Sequence, residues 1–192
     1  MLVLVCSACT SAVENISSER THILYKPDNL PSNAPLVLAL HGYGSNGTIL
    51  QWYSGMNEAA DTHSFAVAYP HGTPDRGGTR HWNANLNISS TDDVHYLSEL
   101  AKDLQAEHQL DPGRTFVFGM SNGGYMSYTL ACEAYDVFRG IASVTGTMSG
   151  YDWNNCDPPE PVPVLHIHGV NDRVVPIDGS MSAGGGWGGA PH

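Results

Sequence analysis

Positive charge is scarce in this chain: 8 Lys and Arg stand against 19 Asp and Glu over 192 residues, a net charge of −11. Such a field repels a polyanion, so nucleic acid is excluded as a partner. Long apolar runs are missing as well, and none approaches the roughly 20 residues needed to span a bilayer. The 10 histidines include no His-Glu-x-x-His, and Cys6-x-x-Cys9 has no second pair of its kind to complete a metal site. His166 and His168 alternate on a predicted strand and could share an ion, but the pattern suits a packed, hydrogen-bonded pair better. No Gly-x-Gly-x-x-Gly follows the first predicted strand, so a dinucleotide is not supported. Neither a metal nor a cofactor is expected. Charged residues make up 14% and hydrophobic ones 41%, a globular composition, and the length suits one domain with a sizeable core.

Met1-Leu-Val-Leu-Val-Cys6-Ser-Ala-Cys9 runs from apolar to small to polar. It reads as the tail of a secretory signal, or of a lipoprotein signal with Cys9 as the lipidated residue. A positive leading segment is absent, which a mis-assigned start would explain; the other reading is an ordinary buried strand. Residues 1–15 are therefore set apart from the fold. A secreted, periplasmic or lipid-anchored protein is expected. With Cys6 and Cys9 so assigned, Cys132 and Cys156 remain, either as a disulfide in an oxidising compartment or as two buried thiols.

Leu36–Leu40 and Phe65–Tyr69 are continuous apolar runs, the signature of strands buried on both faces. Thr21–Tyr25, Thr115–Gly119, Gly140–Val144 and Val162–Ile167 complete the predicted strands. Helical spacing marks 49–62, a stretch from Thr91 or Asp92 to just before Asp111, and Tyr125–Tyr135. Residues 71–90 read as a long polar surface loop, the kind that is usually functional. Strands alternating with helices imply an α/β fold, a mostly parallel sheet with helices on both faces. Residues 20–180 make one domain, and the Gly-rich 181–192 reads as a flexible tail.

Gly119-Met-Ser121-Asn-Gly123 lies between a strand and a helix, the context a nucleophile elbow requires. The helix would aim its first amides at the serine, favouring negative charge there. Ser121 is the expected nucleophile. The elbow needs a second amide donor from an earlier strand-end loop, and His41-Gly-Tyr43-Gly44 supplies one. The backbone N–H groups of Tyr43 and Asn122 are the expected oxyanion-hole donors. His41 precedes the nucleophile, the wrong order for the base on this topology, so a loop-tying role fits it better. Asp172, just past the last strand, is the expected acid of the triad, with Asp178 a weaker competitor. Trp82 and His41 are candidates for substrate contact, although Trp82 could instead shield the core from solvent.

These segments together resemble the secreted polyhydroxybutyrate depolymerase and feruloyl or acetylxylan esterase group of the α/β-hydrolases. The resemblance rests on His41-Gly-Tyr-Gly44, Gly119-Met-Ser-Asn-Gly-Gly124, Leu130-Ala-Cys132, Gly146-Thr-Met148 and His166-Ile-His-Gly-x-x-Asp172-x-x-Val-Pro176. It implies a carboxylester hydrolase with a Ser-Asp-His triad, no cofactor, and a polyester or ester-decorated plant polysaccharide as substrate. In proteins of this pattern the histidine lies well downstream of the aspartate. Here only His192 follows Asp172. An incomplete domain is therefore expected, lacking a helix and the last strand or strands, with an exposed apolar edge and little turnover. A serine peptidase on the same fold, or an inactive polymer-binding module, remain as alternatives.

Overall fold

The computed structural model describes residues 20–180 and Trp187. Residues 1–15, Cys6, Cys9 and His192 lie outside the described residues, and so does the tail apart from Trp187. Five strands run parallel: β2 (Leu36–Leu40), β3 (Ala66–Pro70), β6 (Thr115–Met120), β7 (Ile141–Val144) and β8 (Val164–Ile167). With β1 (His22–Tyr25) antiparallel on β3, they form a sheet ordered β1-β3-β2-β6-β7-β8. The apolar runs of β2 and β3 occupy its interior, where both faces are covered.

Two helices pack one face. In α3 (Asp93–His108), Tyr96, Leu97, Leu100, Ala101 and Leu104 form the buried stripe, and the Asp92 carboxylate caps the His95 amide. In α4 (Asn122–Glu133) ten of twelve residues are buried, because this helix crosses the middle of the sheet. The opposite face carries α1 (Gly47–Ser54) and α2 (Met56–His63), which cover β1, β3 and β2 through Leu50 and Ala60. On that same face β6, β7 and β8 line an apolar groove of about 480 Å³ with Phe116, Phe118, Ala142 and Leu165.

Three expectations need correction. The single helix predicted over 49–62 is two helices, because Gly55 takes a left-handed φ of 68°. The 71–90 loop contains a hairpin, β4 (Thr73–Pro74) with β5 (Arg80–His81), too short to show a period in sequence. A helix absent from the sequence reading, α5 (Gly150–Asn155), is capped by Ser149 Oγ on the Asp152 amide. The Cys132–Cys156 disulfide ties the end of α4 to the end of α5. Among the described residues no helix is long and apolar enough to cross a membrane.

Candidate active site

Ser121 stands between β6 and α4 with φ 53° and ψ −117°, a strained conformation for a residue with a side chain. Its amide donates to the Val144 carbonyl at 2.8 Å, and its carbonyl accepts from the Tyr125 amide at 3.0 Å. The flanking glycines are dictated by contact distance. A Cβ on Gly119 would meet the Gly123 carbonyl oxygen at 2.0 Å, and one on Gly123 would meet the Leu40 carbonyl oxygen at 2.2 Å. The turn therefore closes only with hydrogens at both positions. Ser121 Oγ makes no capping bond to its helix and is left uncommitted there.

The loop after β2 runs alongside. A Cβ on Gly42 would stand 3.5 Å from the Ser121 Cβ, so the next residue, Tyr43, follows immediately beside the serine. Gly42-x-Gly44-x-x-Gly47 has dinucleotide-loop spacing after the second strand, β2. Conformation and packing account for two of its glycines here. Gly44 takes φ 75° and Gly47 presses on the Tyr69 carbonyl, where a Cβ would come within 2.4 Å, whereas a Cβ on Gly42 would make only ordinary contact. Residues 70–72, at the end of β3, are Pro-His-Gly, with no carboxylate to take a ribose hydroxyl.

His41 and Trp82 are not where a substrate could touch them; both are fully buried. His41 Nδ1 lies 2.8 Å from the Gly42 carbonyl, and Nε2 accepts the Gly72 amide at 3.0 Å. A carbonyl only accepts, so Nδ1 carries the hydrogen. Burial above all holds this ring neutral, lowering its pKa to about 4. Trp82 Nε1 donates to the His41 carbonyl at 3.0 Å. The Trp82 backbone exchanges two hydrogen bonds with the Asn122 side chain, at 2.7 and 2.9 Å. The expectation of substrate contact is thus corrected for both residues. They bolt the β2 loop, the hairpin and the first residue of α4 together beneath the serine.

That side-chain clamp leaves the Asn122 amide pointing out of the first turn of α4. Among the described residues neither this amide nor that of Tyr43 donates to a protein acceptor. The hairpin also fixes Tyr43. Its hydroxyl donates to Asp75 Oδ2 at 2.5 Å, and the Gly44 amide donates to the Arg80 carbonyl at 2.8 Å. The Tyr43 bond, helped by the Thr79 and Gly77 amides, holds the Asp75 carboxyl below its ordinary range. Asp75 escaped the sequence reading because its partner lies 32 positions away.

Asp172 sits in the turn after β8. Oδ1 accepts the Val174 and Val175 amides at 2.8 and 2.9 Å, while Oδ2 stands 3.8 Å from His168 Nε2. Asp178 is exposed and accepts the Ser180 amide at 3.0 Å. Tyr125, one turn into α4 from Ser121, has its phenol raised chiefly by burial and more weakly by the Asp172 carboxylate. Asp172 is thus near the same end of α4 as Ser121. Trp187 meets Tyr43 edge-on at 5.2 Å between ring centroids, and its carbonyl accepts the Tyr125 hydroxyl. Gly146, after β7, closes the last side, where a Cβ would lie 2.5 Å from the Ser121 carbonyl oxygen.

The sequence matches the family described as Esterase PHB depolymerase over residues 21–183. NocK of Nocardia uniformis subsp. tsuyamanensis, named an esterase, is 33% identical over 93% of this chain and 53% of its own length. Feruloyl esterase C of Emericella nidulans is 31% identical over 90% of this chain and 62% of its own. The chain therefore spans about half to three-fifths of these relatives. Among solved structures, an acetyl xylan esterase from Aspergillus awamori superposes with a TM-score of 0.57 at 23% identity, over 66% of this chain and 48% of that one. That likeness speaks for the α/β-hydrolase fold.

Proposed function

This chain belongs to the Esterase PHB depolymerase family, and from that membership we propose that it is a serine carboxylester hydrolase with Ser121 as nucleophile. The observation that carries the reading is the backbone of Ser121, held at φ 53° between β6 and α4. Strain of this kind persists only where the surroundings over-determine it, and it lifts the side chain clear of both elements.

Ser121 Oγ attacks the ester carbonyl and forms an acyl-enzyme, and water then releases the acid. The uncommitted amides of Tyr43 and Asn122 receive the oxyanion, a preorganised donor pair worth several kcal/mol in such sites (about 3–4 per donor removed). Asp172 orients the imidazole that takes the serine proton. Its Oδ1 is committed to two amides, which leaves Oδ2 for the ring N–H. In chain order the base follows Asp172, and His192 is the internal candidate.

The names of the relatives favour feruloyl or acetyl esters of plant polysaccharide, or a polyester, as substrate. The disulfide fits an oxidising compartment and hence an exported protein, with Cys9 as the site of any lipid anchor. The test uses the full-length protein on short-chain nitrophenyl esters and a fluorophosphonate probe. The probe should label Ser121, and Ser121→Ala should lower turnover by about 10⁶-fold. Retained hydrolysis in that variant would remove the assignment. Hydrolysis of anilides in preference to esters would point to a peptidase.

A further inference from the structure

β8 and the residue after it carry two histidines, His166 and His168, that the proposed mechanism does not use. The geometry points to His168 as the positioning residue for Asp172, held in a single tautomer by His166 and Tyr128. This inference rests on the serine-esterase reading above.

The hydrogen-bond directions follow from one fixed end. His168 Nε2 lies 2.7 Å from the Val175 carbonyl oxygen, and a carbonyl can only accept, so Nε2 carries a hydrogen. The His168 side chain is 1% exposed, and in the Nε2–H tautomer its Nδ1 is an acceptor. His166 Nε2 lies 3.0 Å from that Nδ1, with the two rings within 18° of parallel. Between two ring nitrogens at this distance one proton is shared, and it belongs to His166. His166 Nδ1 is then an acceptor, 2.9 Å from the Tyr128 hydroxyl, which donates. The chain reads Tyr128 to His166 to His168 to Val175, each group donating to the next.

The far end of this chain is the turn that shapes the acid. Val175, whose carbonyl His168 clamps, donates its amide to Asp172 Oδ1 together with Val174. The same His168 Nε2 lies 3.8 Å from Asp172 Oδ2, too far for a hydrogen bond yet close enough to set where that oxygen rests. Fixing one tautomer in a buried ring thus fixes the carboxylate oxygen reserved for the catalytic imidazole. Tyr128 lies on α4, two turns after Ser121, so the chain links the nucleophile's helix to the acid's turn.

Two measurements on the full-length protein decide the matter. Long-range ¹H–¹⁵N spectra should show both rings with the hydrogen on Nε2; an Nδ1–H tautomer at His168 would overturn the inference. In ester hydrolysis, His168→Ala should lower kcat by about 10²-fold, the size of an ångström-scale misplacement, while KM stays within about twofold. His168→Gln, whose amide can donate to Val175 and accept from His166, should restore most of kcat. His168→Asn, one methylene shorter, should not. If Ala fails to fold, the Gln and Asn pair carries the comparison. Equal kcat in Gln, Asn and wild type would sink the positioning role while leaving Ser121 in place. Retained turnover in Ser121→Ala would instead remove the esterase reading, whatever the tautomers.

Discussion

At the scale of single residues, His41 shows how a side chain suspected of chemistry can be structural. Its ring donates from Nδ1 and accepts at Nε2, so a second proton has to break the Gly72 bond and enter a buried space. The folded pKa of about 4 lies below the unfolded 6.5, so the unfolded chain takes up its proton first. The stability linked to this ring is therefore whole above about pH 6.5 and lost as pH falls toward 4. It amounts to about 3 kcal/mol at most. Burial lowers His22 and His71 in the same direction, which steepens the slope. Urea unfolding at pH 7.5 and pH 4.5 should show the loss, and equal midpoints would place the His41 ring in water-like surroundings.

At the scale of elements, the disulfide holds a helix that has little else to hold it. Only Asp152 of α5 is buried, accepting from Thr129 at 2.7 Å and from Asn85 at 2.6 Å. Closing a 24-residue separation should stabilise by about 3 kcal/mol in the chain-entropy picture. Cys132→Ser with Cys156→Ser should lower the unfolding free energy by about that amount, and an unchanged value would show α5 to be held by its polar contacts alone. This helix was invisible in the sequence because six residues, Gly-Tyr-Asp-Trp-Asn-Asn, carry no apolar period. The strands were legible because Leu36–Leu40 and Ala66–Pro70 are buried on both faces and so are apolar throughout. Ser121 and Asp172 stand out for a different reason: local turn chemistry and chain order mark them as candidates. Trp82 could not be placed, since the Asn122 side chain that seals it comes from 40 positions away. A tryptophan among polar neighbours reads as exposed until that partner is known.

At the scale of the whole molecule, the two faces of the sheet are treated unequally. Among the described residues α3 and α4 cover one face, whereas the other is open where β6, β7 and β8 form the apolar groove. On β8 itself Val164, Leu165 and Ile167 are 47%, 59% and 51% exposed. An open apolar face on an edge strand invites pairing between molecules, and a net charge of −11 opposes it through mutual repulsion. Leu165→Glu should therefore raise the concentration at which light scattering first reports association, with unfolding free energy changed by no more than about 0.5 kcal/mol. Scattering that sets in at the same concentration would show that this strand is not the contact. The order of the strands also governs time. Leu40 pairs with Gly119, so the two loops that flank Ser121 come from segments that many intervening residues keep apart while the chain is unfolded. Bringing such ends together costs about 4 kcal/mol of loop entropy before any strand contact repays it. The elbow thus cannot form early from local sequence. Its strained turn leans on the most distant pairing in the sheet, so the Ser121 turn is expected to mature late in folding.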